Sequence, residues 1–168
     1  MEMRQYRDTD VKVSLLGMGC MRLPKVDPEK EDIDYEKAQE IIDYAYANGV
    51  NYFDTAYGYL NGKSEKAIKA ALVDRYPRES YQLATKLPAW AGAKTAEEAR
   101  AMLATSLERT GAGYFDFYLL HNLGDNRTEA FDRFGIWDFL AEQKAKGVIR
   151  HIGMSTHNPR VGILAALS

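Results

Sequence analysis

The chain has 168 residues, 46% of them hydrophobic and 27% charged, with a formal charge of -2 and a sequence pI near 5.9. Such a composition supports a packed core and excludes disorder, and its charge balance offers no basic field for nucleic acid and no polybasic run for an acidic membrane surface. No stretch of about 18 apolar residues reads as a membrane span, the opening Met1-Glu2-Met3-Arg4 is unlike a signal peptide, and the single cysteine, Cys20, has no partner for an internal disulfide. The expectation is a cytoplasmic protein with a small-molecule partner.

Along the chain, short apolar runs rich in β-branched and aromatic residues alternate with longer stretches of helical period, the pattern of repeated β-α units and a parallel sheet. Residues 4–8 and 12–15 read as a hairpin turning at Thr9-Asp10, placed to plug one end of a barrel. Residues 15–18 read as the first strand. The spacing of Ala38, Ile41, Ile42, Ala45 and Tyr46 predicts a helix over 35–48, stopped by Gly49. A strand over 52–55, a helix over 65–74 and a strand over 81–85 come next. Thr95 caps a helix through Arg109, with Glu97 and Glu98 in its first turn where the helix dipole favours negative charge. A strand over 116–120, a helix over 137–146 ended by Gly147, a strand over 151–154 and the start of a helix over 160–167 complete the series. The fold class is α/β, of the (β/α)8 TIM-barrel type with an N-terminal hairpin. Five β-α units do not close eight strands, which typically take about 250 residues, so the chain is expected to be the truncated N-terminal portion, residues 1–168, of a barrel domain.

In such a barrel, chemistry gathers at the C-terminal ends of the strands. There the sequence puts Asp54 with Tyr59 after it, Lys86, His121 and Ser155. Each has an ordinary reading by itself: a cap for Asp54, a solvated strand end for Lys86, a satisfied histidine under a loop for His121, packing for Tyr59. Together they solve one problem. A tyrosine hydroxyl ionises near pH 10 and is a weak acid–base catalyst unless a cation favours its phenolate. Lys86 supplies that cation, Asp54 the carboxylate that keeps a half-buried lysine charged, and His121 a hydrogen bond to a substrate carbonyl oxygen. Tyr57, Trp90 and Leu123 are candidates for an apolar pocket wall, or for core.

The segments Asn51-Tyr52-Phe53-Asp54-Thr55-Ala56-Tyr57-Gly58-Tyr59 with Ser64-Glu65, Ala84-Thr85-Lys86, Tyr118-Leu119-Leu120-His121 and Leu16-Gly17-Met18-Gly19-Cys20-Met21 resemble the aldo-keto reductases, NAD(P)H-dependent oxidoreductases on a (β/α)8 barrel. The resemblance implies reduction of aldehyde or ketone carbonyls with NADPH. Tyr59 would be the general acid, tuned by Lys86 and Asp54, and His121 would orient the substrate. It also implies cofactor contacts at Gly19, Cys20, Met21, Asp54, Ser155 and Thr156, and no metal site. Where the family usually has Asn after the serine, Thr156 stands, followed by His157 and Asn158. The form Gly153-Met154-Ser155-Thr156-His157 looks like a prokaryotic branch whose longer members add an iron–sulfur segment, but no cysteine cluster is present and no cluster is expected. In the family, the cofactor's pyrophosphate and 2′-phosphate are held by later strands and loops. Self-association or a C-terminal half would therefore complete the barrel. Two other readings stand beside this one: a truncated, non-catalytic barrel fragment acting as an interaction or regulatory module, and a Schiff-base lyase with Lys86 as nucleophile.

Overall fold

The computed structural model describes residues 1–30 and 32–157. Strands β1 (Met3–Gln5) and β2 (Lys12–Ser14) pair antiparallel, with Met3 opposite Ser14. A second sheet holds five strands in the order β3 (Met18–Gly19), β4 (Tyr52–Asp54), β5 (Gln82–Leu87), β6 (Phe115–Leu120) and β7 (Ile149–Met154). Every neighbouring pair in it is parallel. Between the strands lie helices α1 (Tyr35–Ala47), α2 (Lys63–Ile68), α3 (Ala96–Thr110), α4 (Thr128–Arg133) and α5 (Ile136–Ala145). No helix among the described residues is long and apolar enough to cross a membrane.

The expected β-α succession holds, with local differences that have physical causes. The first parallel strand is Met18–Gly19 and not 15–18: the Leu15 N–H goes to the Glu2 carbonyl (2.9 Å) and the Leu16 carbonyl accepts from the Ser14 hydroxyl (2.7 Å). That stretch belongs to the hairpin's exit, and both leucines are exposed. The helix read over 65–74 begins at Lys63 and widens into a π turn over Lys69–Val73. On α1, capped by Asp34, whose Oδ1 accepts from the Lys37 N–H at 3.1 Å, Ala38 and Ile42 are buried as expected but Ile41 is exposed. Thr95 caps α3 by accepting the Glu98 N–H at 3.2 Å. Helix α4 was not expected, and the helix read over 160–167 lies outside the described residues.

Side-chain parity along the strands decides which residues face the helices. Phe53, Leu83, Leu87 and Leu120 lie on that face and pack with Ile42, Ile68, Leu72, Leu103 and Leu140 in one core. The opposite, inner face carries Asp54, Ala84, Lys86, Phe117 and His151 through the registers Asp54↔Ala84, Ala84↔Phe117, Lys86↔Leu119 and Phe117↔His151.

The N-terminal end of the sheet is held by polar ties. Asn51 accepts the Ser14 N–H (2.7 Å) and donates to the Lys12 carbonyl (2.9 Å), pinning the hairpin. The Tyr6 ring then meets Phe117 and His151 edge-on, with centroids 5.0 and 4.8 Å away, so the hairpin does cover one end of the inner face. Asp116, fully buried, accepts from the Leu83 N–H (2.8 Å), Arg78 (2.7 Å) and Arg150 (2.9 Å). Removing one member of a buried ion pair leaves the other desolvated and unpaired. Asp116→Ala is expected to cost about 3 kcal/mol, a fall in Tm of roughly 6 °C or more for a chain of this size, measured by thermal unfolding; an unchanged Tm would contradict the assignment.

Candidate active site

Strand β5 runs through the core with every residue buried, and its parity turns Lys86 to the inner face beside Asp54 of β4. Lys86 is 5% exposed and its ammonium has three acceptors. It donates to Asp54 Oδ1 at 2.5 Å, to the Thr55 carbonyl at 2.8 Å and to the Tyr59 hydroxyl oxygen at 3.1 Å. The cation also lies 4.7 Å from the centre of the Tyr59 ring. The Thr55 carbonyl is the partner that sequence could not reveal, because a backbone acceptor leaves no residue-type signal.

His121 follows β6, its N–H on the Leu87 carbonyl (3.0 Å) and its ring edge-on to Tyr59 with centroids 5.8 Å apart. Its Nδ1 is buried with no hydrogen-bond partner among the described residues. Burial first, then the charges of Lys86, His157 and Arg127, push its pKa down from 6.5 to about 4, so the imidazole is neutral at physiological pH. Trp90 closes this side, donating from Nε1 to the His121 carbonyl at 2.7 Å. Of the other wall candidates, Tyr57 lies under the Arg109 guanidinium (4.4 Å to the ring centre) and Leu123 is buried in the core.

The remaining expected residues fall at the same end of the sheet. Gly19 pairs with Asp54 in the register, and a Cβ placed on it would meet nothing within 4 Å. Cys20 donates its N–H to the Asp54 carbonyl (2.7 Å), but its side chain is fully buried and its thiol is pushed up to about 12 by burial and by Asp54. Its carbonyl accepts from the Ser64 hydroxyl at 2.7 Å, so both main-chain groups of this fully buried residue are engaged within the protein. Met21 is exposed and lines a cleft of about 560 Å³ with Arg22, Leu23, Lys25, Pro28, Gly58, Tyr59 and Leu60. Arg22 and Leu60 went unremarked in the sequence, although Arg22 directly follows the Gly19-Cys20-Met21 segment. Ser155, after β7, accepts the Asn122 N–H on Oγ at 2.9 Å, and Thr156 continues from it, half-buried. No group of three or more His, Cys, Asp or Glu side chains suited to a metal ion occurs among the described residues.

Asp54, Lys86 and Tyr59, hydrogen-bonded through one ammonium, and a neutral histidine thus meet at the C-terminal ends of three parallel strands, the end of the sheet where barrel enzymes assemble their sites. The sequence matches the Aldo/keto reductase family over residues 15–165, and the chain belongs to that family. It is 31% identical to the uncharacterized oxidoreductase YqkF of Bacillus subtilis over 96% of its own length and 51% of the relative's. It is 29% identical to the NADH-specific methylglyoxal reductase of Escherichia coli, over 86% of this chain and 49% of that protein. Among solved structures, the holo form of an aldo-keto reductase from Bacillus halodurans superposes with a TM-score of 0.71 at 32% identity, covering 95% of this chain and 51% of the other. The fold is the aldo-keto reductase TIM barrel over five of its strands. The chain spans about half the length of the curated relatives it matches.

The neutral state of His121 has a measurable consequence. Its pKa is lower folded than unfolded, so the unfolded chain binds the extra proton first as pH falls, and stability present above about pH 6.5 is lost progressively toward pH 4. Following the histidine Cε1 protons by NMR should give a midpoint near pH 4 for His121. A midpoint at or above 6.5 would contradict the burial described.

Proposed function

We propose that this chain carries the acid–base machinery of a carbonyl reductase, with Tyr59 giving its proton to the oxygen of an aldehyde or ketone as hydride reaches the carbon. One observation carries the reading: Lys86 donates to the Tyr59 oxygen. The hydroxyl therefore accepts from lysine, and its own hydrogen is free to point at a substrate. As that proton leaves, the ammonium faces the negative charge growing on the phenol oxygen, while Asp54 and the Thr55 carbonyl hold the ammonium in place. His121, neutral, lends its N–H to the same carbonyl oxygen without adding a second charge. An amine whose three hydrogens are all donated has no lone pair to offer, which disfavours the Schiff-base chemistry that Lys86 would need as a nucleophile.

The rim suits a flat nicotinamide ring. Space is open above Gly19, Met21 is exposed, and Ser155, already accepting from Asn122, has its own hydroxyl hydrogen free for a carboxamide oxygen. Gly19, Met21, Asp54, Ser155 and Thr156 would hold this end of the cofactor, with Cys20 buried behind Gly19 and Met21. NADPH is the form we propose, and when bound it supplies the hydride. The cleft beside Tyr59, walled by Met21, Leu23 and Leu60, is of a size for a small carbonyl compound. The inner face of the sheet, where Tyr52, Phe117, Leu119 and Gly153 line an open pocket, is the surface that further barrel units or self-association would cover. The setting we propose is the cytoplasm, with Cys20 kept reduced.

In a protein whose barrel is completed, Tyr59→Phe is expected to lower kcat by about 10²-fold or more while the NADPH Kd, read by fluorescence titration, stays near wild type. Lys86→Met should lower kcat comparably and change the shape of the pH–rate profile. Near wild-type turnover in either variant would sink the relay. NADPH should also bind more tightly than NADH in the same titration, and a clear preference for NADH would reverse the cofactor assignment.

A further inference from the structure

The turn that presents Tyr59 is built from backbone that side chains rarely adopt. Leu60, Asn61 and Gly62 follow one another at φ of 51°, 55° and 79°. Non-glycine residues enter this left-handed region against steric resistance, and they persist there where neighbours hold them. A leucine, which has no side-chain hydrogen bond to offer locally, needs such a neighbour more than asparagine does.

Arg109, at the far end of α3, holds the turn from its flanks, at Tyr57 before Leu60 and Asn61 and at Gly62 after them. Its Nη1 donates to the Tyr57 carbonyl at 2.9 Å, across 52 residues of sequence, and to Glu65 Oε2 at 3.3 Å. The guanidinium stacks on the Tyr57 ring and lies against the Cα of Gly62, where an added Cβ would sit 2.7 Å from Nη1 and 2.8 Å from Cζ. One planar cation therefore touches the residues on both sides of the Tyr59 turn. Glu65 is fully buried and also accepts from the Thr85 hydroxyl at 2.8 Å, and Thr85 immediately precedes Lys86. The Tyr57 N–H in turn reaches the Lys86 carbonyl at 3.3 Å. The turn carrying the hydroxyl and the strand carrying the ammonium are thus tied to the same carboxylate–guanidinium pair.

We propose that Arg109 is a positioning residue, which by filling the space over Gly62 and holding the Tyr57 carbonyl fixes the left-handed turn so that the Tyr59 hydroxyl stays on Lys86. Its importance for turnover rests on the proton-donor reading of Tyr59; its effect on the placement of the Tyr59 ring does not.

A merely structural ion pair is the alternative, and the molecule contains a matched control. Arg78 likewise meets a buried carboxylate, Asp116, likewise donates to backbone carbonyls, and likewise stacks on a tyrosine, Tyr114, at 3.8 Å, but at the opposite end of the sheet. The test compares Arg109→Ala with Arg78→Ala in the full 168-residue chain, well below the Tm of each. The readout is the ring-current shift that the edge-on Tyr59 ring imposes on the His121 Cε1 proton. Assignment comes from His121→Gln and the ring-free reference from Tyr59→Leu. The expected result is that Arg109→Ala moves this shift toward the Tyr59→Leu value and Arg78→Ala leaves it in place, although both lower Tm. With the barrel completed, turnover with NADPH should fall about tenfold to a hundredfold in Arg109→Ala, the penalty for roughly an ångström of misplacement, with NADPH binding unchanged. If Arg109→Ala does not fold, Arg109→Lys makes the same measurement, since it keeps a cation for Glu65 but gives up the planar stack on Tyr57. A His121 shift that stays at the wild-type value in the Arg109 variants, or moves equally in Arg78→Ala, overturns the proposal. Should Tyr59→Phe retain full turnover, the proton-donor reading fails, while the ring-shift comparison still decides the role of Arg109.

Discussion

A lysine that is 5% exposed has to find acceptors for its ammonium or lose its charge, and the rest of this site is arranged around that demand. Lys86 takes one acceptor from the end of β4, one from the backbone just beyond it and one from the turn that follows. The requirement fixes register. A slip of one residue in β5 would send Lys86 to the helix face and Thr85 to the mouth, leaving Asp54 without its cation and Glu65 without its hydroxyl. Because both errors would bury unpaired polar groups, the pairing Asp54↔Ala84 is enforced from two sides of the sheet.

The two ends of the sheet are used differently. At the N-terminal end, charge is matched within the fold: Asp116 is shared by Arg78, Arg150 and a backbone N–H, and the Tyr6 hairpin lies over Phe117 and His151. At the C-terminal end, capacity is left over. His121 Nδ1 lacks a partner among the described residues, Met21 is exposed, and the space above Gly19 is open. Charge is paired at the end that the hairpin covers, and open space gathers at the end where barrel folds place their binding loops.

Much of this was legible because strand parity and strand ends leave marks in the sequence. Asp54, Lys86 and His121 each close an apolar run, so their common rim followed from the β-α succession alone, and Tyr59 came with Asp54 by proximity. Other features left no such mark. The exposure of Ile41 depends on where the stripe of α1 meets the sheet, which helical periodicity fixes only to within a residue. The exit of Leu15 and Leu16 from the sheet depends on the Glu2 carbonyl and the Ser14 hydroxyl, a hairpin detail of no periodicity. The packing of Arg109 on Gly62 joins residues from two units, and neither type announces the other. Leu123 illustrates the limit from the other side: an apolar residue just past a catalytic strand reads as pocket wall or core alike, and tertiary packing alone assigns it to the core.

On the proposed reading, one cation also governs how two donors would serve a single carbonyl oxygen. Were His121 charged, it would stand beside Lys86 as a second cation, competing for Asp54 and repelling the ammonium on which Tyr59 depends. Burial and the charge of Lys86 itself keep that from happening, since both disfavour the imidazolium. The histidine would then lend a hydrogen bond with no extra proton to give, and the proposed proton donor would be the tyrosine, whose oxygen already accepts from lysine. On the proposed reading the roles are separated by electrostatics more than by distance. The same ammonium that stabilises charge on one donor withholds it from the other, so the direction of proton flow follows from where Lys86 is buried.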